Sequence, residues 1–324
     1  MAMSEHHENH EKPSHKTAWE RDTLERLAFA TLAEQRANRR WRIFFRFAWL
    51  ALIVALLWTG THKGGVGGSG PSQPHTAVVA IKGEIADGAD ASAEWVVTAL
   101  RAAFEDEGSQ AVVLQINSPG GSPVQAGIIN DEIRRLKEKH KKPVYAVVEE
   151  SCASAAYYIA VAADEIYVDK ASIVGSIGVL MDGFGFTGLM DKLGVERRLM
   201  TAGVNKGFLD PFSPQTKPQR AHAQTLLDQI HKQFIQVVRD GRGKRLKETP
   251  ELFSGLFWSG EQAVELGLAD GLGNLDYVAR EIVKAEDVID YTRHENVAER
   301  LAKRFGAAMG EGAVRALQTM PVVR

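Results

Sequence analysis

What most limits the fold of this chain is an alternation that begins at Thr76. The short β-branched runs TAVVAIKGEI, AVVLQIN and PVYAVVEE are separated by stretches whose apolar residues recur at helical spacing, from Ala93 to Glu107 and from Pro123 to His140. Strands that read as nearly continuous apolar runs are buried on both faces, as in a parallel sheet covered by helices. The rhythm therefore predicts an α/β domain. It continues with a helix from about Ser154, strands at EIYVD, SIVGSIGVLM and VERRLM, and a helix over Thr187 to Leu193. A long helix over Gln219 to Arg239 then buries Leu227, Ile230, Phe234 and Val238. The stretch WSGEQAVELGLADGLGNLD reads as a short helix closed by glycine turns, and VIDYT as the last strand.

With 324 residues, 44% of them hydrophobic and 25% charged, the chain can bury one large core and carry appendages besides. A formal net charge of -2 gives no basic surface for a nucleic-acid partner. Cys152 is the sole cysteine, which excludes an internal disulfide framework and a thiolate metal cage. There is no fixed-period repeat, no P-loop and no dinucleotide-binding glycine fingerprint.

The run Phe47 to His62 carries no formal charge and follows Arg36, Arg39, Arg40, Arg42 and Arg46. Extended back through Ile43, Phe44 and Phe45, with Arg46 reaching to the headgroups, it approaches the roughly 20 residues of a bilayer span. Trp41 and Trp58 would sit at the interfaces, and the upstream arginines place the N-terminus in the cytoplasm. No small-x-small cleavage site follows Trp58, so the run is expected to remain as an anchor. The expected organisation is a cytoplasmic tail over 1–42, a transmembrane anchor over 43–62, a glycine-rich linker over 63–75, a folded domain over 76–292 and a helical tail over 293–324. His6, His7, His10 and His15 read as part of a solvated tail, because no apolar pattern would hold them as metal ligands.

Three stretches of the domain carry chemistry. In INSPGGSP, where the strand AVVLQIN gives way to a helix, Gly120 and Gly121 let backbone N–H groups face a developing oxyanion; alone, the sequence is an ordinary turn. In ESCASAAYYIA, Ser154 stands at a helix start among small residues, near the positive end of the macrodipole; the commoner use of such a serine is as an N-cap. Cys152 is more often a small buried hydrophobe than a thiol nucleophile in such a setting. None of His75, His140, His222, His231 and His294 lies in a glycine-rich or strand-end context, so a Ser-His-Asp triad has no support. In TAGVNKGFLDPFSP, Lys206 lies near Phe208 and Leu209, and enclosure by such neighbours would disfavour the ammonium form. A single lysine is otherwise a solvated charge.

Taken in order, NSPGG, SxxSAAYYIA, VGSIGV and GVNKxxxDPFSP resemble the signal peptide peptidase A family of membrane-bound serine proteases, over about residues 76 to 290. The resemblance implies Ser154 as nucleophile, Lys206 as general base, Ser176 as the residue that orients the lysine, and Gly120 and Gly121, chiefly Gly121, at the oxyanion hole. It implies an α/β Clp protease/crotonase-like superhelical fold of stacked strand-strand-helix units behind an N-terminal transmembrane helix. It also implies catalysis without metal or cofactor, and a homo-oligomer whose active sites combine neighbouring subunits. The expected substrates are remnant signal peptides and unfolded segments, met by a domain on the extracytoplasmic, periplasmic side of the inner membrane and anchored in its lipid. The chain departs from the family pattern in having Ala155 and Ala156 where Gly-Gly is usual, which narrows the space beside the nucleophile and favours helix. Two rival classes remain: a non-catalytic membrane scaffold of the same fold, and an acyl-thioester enzyme using coenzyme A.

Overall fold

The computed structural model of the chain describes residues 39–54 and 73–293. They belong to two compact units, Met1–Ser69 and Gly70–Arg324. Residues 1–38 of the expected tail with its histidines, 55–62 of the expected anchor, 63–72 of the expected linker and 294–324 of the expected helical tail lie outside the described residues.

In the first unit, residues 39–54 form helix α1, whose side chains are exposed throughout. Trp41, Phe44 and Phe45 cluster with ring centroids 5.7 to 5.8 Å apart. Among the described residues no helix is long and apolar enough to cross a membrane.

The second unit is built on one mixed sheet of eight strands. Strands β1 (His75–Lys82), β2 (Ser109–Ser118) and β3 (Val144–Ala153) pair in parallel at its centre. The order runs β6-β5-β3-β2-β1-β8, where β5 is Ile173–Gly175, β6 is Phe257–Ser259 and β8 is Val288–Asp290. Strand β3 is shared: Tyr145–Val147 pair with β4 (Glu165–Val168), which carries β7 (Gly271–Leu272), while Ser151–Ala153 pair with β5. Among the described residues only the β5–β6 pairing is antiparallel.

Period-two alternation divides the strand residues between two cores. Val79, Ile81, Leu114, Ile116 and Val148 face helices α2 (Ala93–Glu105), α3 (Pro123–His140) and α4 (Ala155–Ala160). Val78, Val113 and Val147 face the other way, towards Tyr167 and Val278. Each fully buried aliphatic side chain of this kind contributes about 1.5–3 kcal/mol relative to exposure. Helix α3 starts at Ser122, whose hydroxyl accepts the Gln125 N–H at 3.4 Å, with Pro123 in its first turn. It ends at left-handed Lys141 with Lys137, Lys139 and His140 in the last turn, where cations suit the dipole.

Helix α6 (Lys217–Arg242) opens with a capping box of Thr216 and Gln219 and is anchored at its far end by Arg242. That guanidinium is 1% exposed, donates to both carboxylate oxygens of Asp270 at 2.7 and 2.9 Å, and also donates to the Gly267 carbonyl. Burial raises the Asp270 carboxyl, but Arg242 by hydrogen bond and charge, together with the Ile166 N–H and Arg245, outweighs it and leaves the group below the usual carboxylate range.

Two expected strands differ in the structure. SIVGSIGVLM is a strand only over Ile173–Gly175, because Gly175 (φ +106°) and Ser176 (φ +50°) turn the chain out of the sheet. VERRLM, residues 195–200, has no regular structure and is exposed, because no neighbouring strand offers it a ladder. The end of the first and all of the second lie in an arm from Gly178 to Thr216 whose one helix, α5 (Thr187–Leu193), buries no residue. The arm is ordered by contacts of its own. Phe186 stacks on Phe212 at 5.4 Å, and Asp210 accepts from Ser213 at 2.6 Å and from Arg197 at 3.4 Å.

Candidate active site

Strand β3 ends at Ala153, and the chain turns at once into α4. The hinge residue is Ser154, at φ 54° and ψ -122°. A non-glycine residue with positive φ carries backbone strain and persists only where its surroundings over-determine it. Here the Ser154 N–H donates to the Gly175 carbonyl at 2.8 Å, and its own carbonyl accepts from Tyr158 N–H at 3.0 Å. Ser154 occupies the N-cap position, yet its hydroxyl makes no capping bond. The hydroxyl is thus half-buried at a sharp strand-to-helix turn and not committed to the helix. With only six residues in α4, discrete N–H groups matter more there than a macrodipole.

The glycine turn after β2 lies against this hinge, and its two glycines do different things. A Cβ on Gly120 would fall 2.8 Å from the Ser154 Cβ and 2.8 Å from the Ala153 carbonyl oxygen, so close approach requires glycine there. The Gly120 N–H is already engaged by the Ser118 hydroxyl at 3.1 Å, and its carbonyl accepts from Ile85 N–H at 2.9 Å. Gly121 pairs with Ile85 in an isolated bridge, and a Cβ there would meet the Ile85 carbonyl oxygen at 2.2 Å. The Gly121 N–H has no partner among the described residues. Ala155 supplies a donor that sequence reasoning missed: its N–H opens α4, has no helical acceptor, and lies 3.1 Å from the same Cβ position on Gly120. Backbone donors carry no side-chain signature. The available signal was position, the residue directly after a candidate nucleophile.

Cys152 is buried, and burial alone pushes its thiol far above the ordinary range, so it is not a nucleophile. No histidine among the described residues hydrogen-bonds Ser154. Ser176 is half-buried one residue beyond the carbonyl that holds Ser154, and its N–H donates to the Leu256 carbonyl at 2.8 Å. Ser154, Gly120, Gly121 and Ser176 are therefore brought together around the ends of β2, β3 and β5.

Lys206 is not enclosed as its apolar neighbours suggested. It lies in an exposed turn of the arm, with its N–H on the Gly203 carbonyl at 3.0 Å, and its side chain has no hydrogen bond or ion pair among the described residues. Phe208 turns instead to His222 on α6, with ring centroids 5.5 Å apart. Around Lys206, Met200 and Val204 are 94% and 99% exposed. Among the described residues no group of three or more His, Cys, Asp or Glu side chains is placed to hold a metal ion.

Comparison with known proteins bears on this geometry. The model of peptidase family S49 matches residues 136–289, a stretch that contains Ser154, Ser176 and Lys206 but not the glycine turn. A provisionally assigned protease of Methanocaldococcus jannaschii, MJ0651, is 32% identical over 222 residues, covering 67% of this chain and 71% of the relative. A provisionally assigned signal peptide peptidase, SppA, of Enterococcus faecium is 32% identical over 199 residues, 60% of this chain and 57% of the relative. A Brucella melitensis protein named Na(+)/H(+) antiporter NhaA is 49% identical over 176 residues, which are 54% of this chain and 24% of that protein. The chain thus spans about a quarter of the length of this relative.

Proposed function

Because the chain belongs to peptidase family S49, we propose that it is a serine endopeptidase in which Ser154 attacks a peptide carbonyl and Lys206 takes the serine proton. The observation that carries this reading is the hinge itself: a serine at positive φ, with an uncommitted hydroxyl, pressed against a glycine turn. In the acylation step the bond from Ser154 Oγ to the carbonyl carbon forms while the Oγ proton passes to the unprotonated Lys206 amine. The oxyanion accepts hydrogen bonds from the N–H groups of Gly121 and Ala155. The carbon–nitrogen bond then breaks, the lysine ammonium returns the proton to the leaving amine, and water repeats the sequence on the acyl-enzyme. Ser176 orients the lysine by hydrogen bonding. No metal or cofactor takes part.

Lys206 sits on an arm that exposes Leu180, Phe184, Met200 and Val204 among the described residues, and clustered exposed apolar side chains of this kind mark interaction surfaces. This supports a homo-oligomer in which each arm docks on a neighbouring subunit, completing a composite active site on a Clp protease/crotonase-like domain over residues 76–292. The exposed apolar residues of α1 that follow Arg39, Arg40 and Arg42 support a single-pass anchor over 43–62 in the lipid of the inner membrane. The tail 1–42 is then cytoplasmic, and the protease domain, on its linker 63–75 and followed by the helical tail 293–324, is periplasmic. Held there, the site would meet remnant signal peptides and other unfolded segments, in keeping with the name given to the Enterococcus relative.

The test uses the full-length chain in detergent, with peptide hydrolysis and labelling by a serine-directed fluorophosphonate as readouts. Ser154→Ala is expected to abolish labelling, and Ser154→Ala and Lys206→Ala each to lower turnover by about 10⁴-fold or more while the assembled mass is kept. Full hydrolysis by either variant would refute the dyad. Intact wild-type assembly with neither labelling nor hydrolysis would instead leave a membrane scaffold of the same fold.

A further inference from the structure

The arm that carries Lys206 has two roots in the core, and one side chain joins them. The outgoing root is Gly175 to Gly178. The returning root is the stretch of α6 one turn before Phe234, where that ring meets Tyr158 of α4 with centroids 5.2 Å apart. Between the roots, His231 Nε2 lies 3.0 Å from the Ile177 carbonyl oxygen. A carbonyl only accepts, so Nε2 carries the proton and donates it. The bond spans 54 residues of sequence and ends on the residue directly after Ser176.

A second side chain holds the outgoing root from the opposite strand. Val174 pairs with Trp258 across β5 and β6, and the indole packs against the next residue: a Cβ on Gly175 would stand 3.1 Å from its Cδ1 and 3.6 Å from its Nε1. The indole Nε1 is buried and has no hydrogen-bond partner among the described residues. A buried donor without an acceptor is costly, so what the ring offers at this place is its bulk, packed against a strained turn. Gly178 closes the root by packing on Gly255, where a Cβ on Gly178 would come within 2.9 Å of the Gly255 Cα. Ile177, within this root, is fully buried.

The turn so held has consecutive residues at positive φ, Gly175 at +106° and Ser176 at +50°. Its carbonyl at Gly175 fixes the Ser154 N–H, and its N–H at Ser176 is fixed by Leu256. We propose that His231 and Trp258 are positioning residues for the peptidase reaction, a clamp that locks the Gly175–Ser176 turn and thereby sets both Ser154 and the root of the arm that presents Lys206. This rests on the reading of Ser154, Ser176 and Lys206 as catalytic residues. The clamp does not touch substrate; it acts through Ser176 and the Gly175 carbonyl.

The experiment measures kcat and KM for a peptide substrate on assembled full-length protein. His231→Ala is expected to lower kcat about 10- to 100-fold, the loss that follows ångström-scale misplacement of a catalytic group, with KM nearly unchanged. His231→Gln, whose side-chain amide can donate to the same carbonyl, should recover most of that loss. Trp258→Ala should resemble His231→Ala, whereas Trp258→Phe, which keeps an aromatic ring at the site and discards the unpaired donor, should stay near the parent. An assembled His231→Ala with parental kcat overturns the clamp, as does a loss that only tracks the assembled fraction. Amide exchange reads the same point in the subunit whether or not it assembles. Faster exchange at Ser176 in His231→Ala, with Val113 unchanged, supports the clamp, and equal protection overturns it. Lys206→Ala measured alongside keeps the failures apart. If that variant is active, the catalytic reading falls and the clamp with it; if it is inactive beside an active His231→Ala, only the clamp falls.

Discussion

Strands β1 to β3 and the arm from Gly178 to Thr216 are both rich in large apolar side chains, and they use them in opposite ways. Val79, Leu114 and Ile116 are wholly buried, whereas Leu180, Phe184, Met200 and Val204 are 81%, 82%, 94% and 99% exposed. In the sheet, parallel pairing satisfies the backbone and helices cover both faces, so each apolar residue finds partners within the chain. In the arm the contacts that give order are few and polar or aromatic, Asp210 with Ser213 and Arg197 and the Phe186–Phe212 stack. The proposed nucleophile is thus mounted on the well-covered sheet, and the proposed base on the exposed arm. If the arm docks on a neighbouring subunit as proposed, a site divided in this way would be off until its second half is supplied.

The comparison breaks first if the sheet unit is not the self-sufficient half. Its most buried charge is Arg242, paired with Asp270 and bonded to the Gly267 carbonyl. Arg242→Met would leave Asp270 with only Arg245 at 3.1 Å and the Ile166 N–H, and is expected to cost about 2–4 kcal/mol in urea unfolding, at or below the range for a fully stranded partner. A cost below about 1 kcal/mol would mean that the end of α6 is not anchored as described.

A smaller effect sharpens the contrast through pH. Glu132 on α3 accepts from Arg135 at 2.7 and 2.8 Å and from Arg101 at 2.6 Å. The Arg135 hydrogen bond, joined by Arg101, outweighs burial and holds the carboxyl at about 2 from an ordinary 4.5. Because the folded value is depressed, the stabilisation is present above the unfolded pKa and is lost as pH falls from about 4.5 towards about 2. Both arginines are about half exposed, so the loss should be about 2 kcal/mol rather than the full linkage value. Glu132→Gln should flatten the stability curve in that window. A parental slope in Glu132→Gln would assign the acid sensitivity elsewhere, Asp270 being next in line.

How far the sequence could be read follows the same division. Strands β1 to β3 and helix α3 were legible because a covered parallel sheet writes its burial as continuous apolar runs, and because Ser122 and Pro123 mark a helix start. VERRLM has the same local character as a strand, and nothing in its own residues says that no neighbour will pair with it. Ser154 was legible as a position before a helix, but its hydroxyl's freedom from capping depends on the φ of +54° that Gly175 and Gly120 impose from elsewhere. The separate duties of Gly120 and Gly121 depend on Ser118 and Ile85. His231 looked like a residue of an amphipathic helix, because its partner at Ile177 is 54 residues away. Local chemistry marks which residues are candidates, and long-range contacts assign them their tasks.

The smallest expected effect is the most discriminating. In the double variant Met200→Ser, Val204→Ser, two of the most exposed apolar side chains of the arm become polar. If the arm has no cover within its own chain, this change removes no intramolecular burial. Subunit unfolding should then shift by no more than about 0.5 kcal/mol. The measurement has to be made at a dilution where the parent protein is already dissociated, since assembly would otherwise add its own stabilisation to the result. At higher concentration the same double variant should need more protein to assemble, and hydrolysis should fall with the assembled fraction. A loss above about 1.5 kcal/mol in the dissociated subunit would show that Met200 and Val204 find cover within their own chain. The arm would then be a second core rather than an unfinished surface, and the contrast between the two halves would fail at its root.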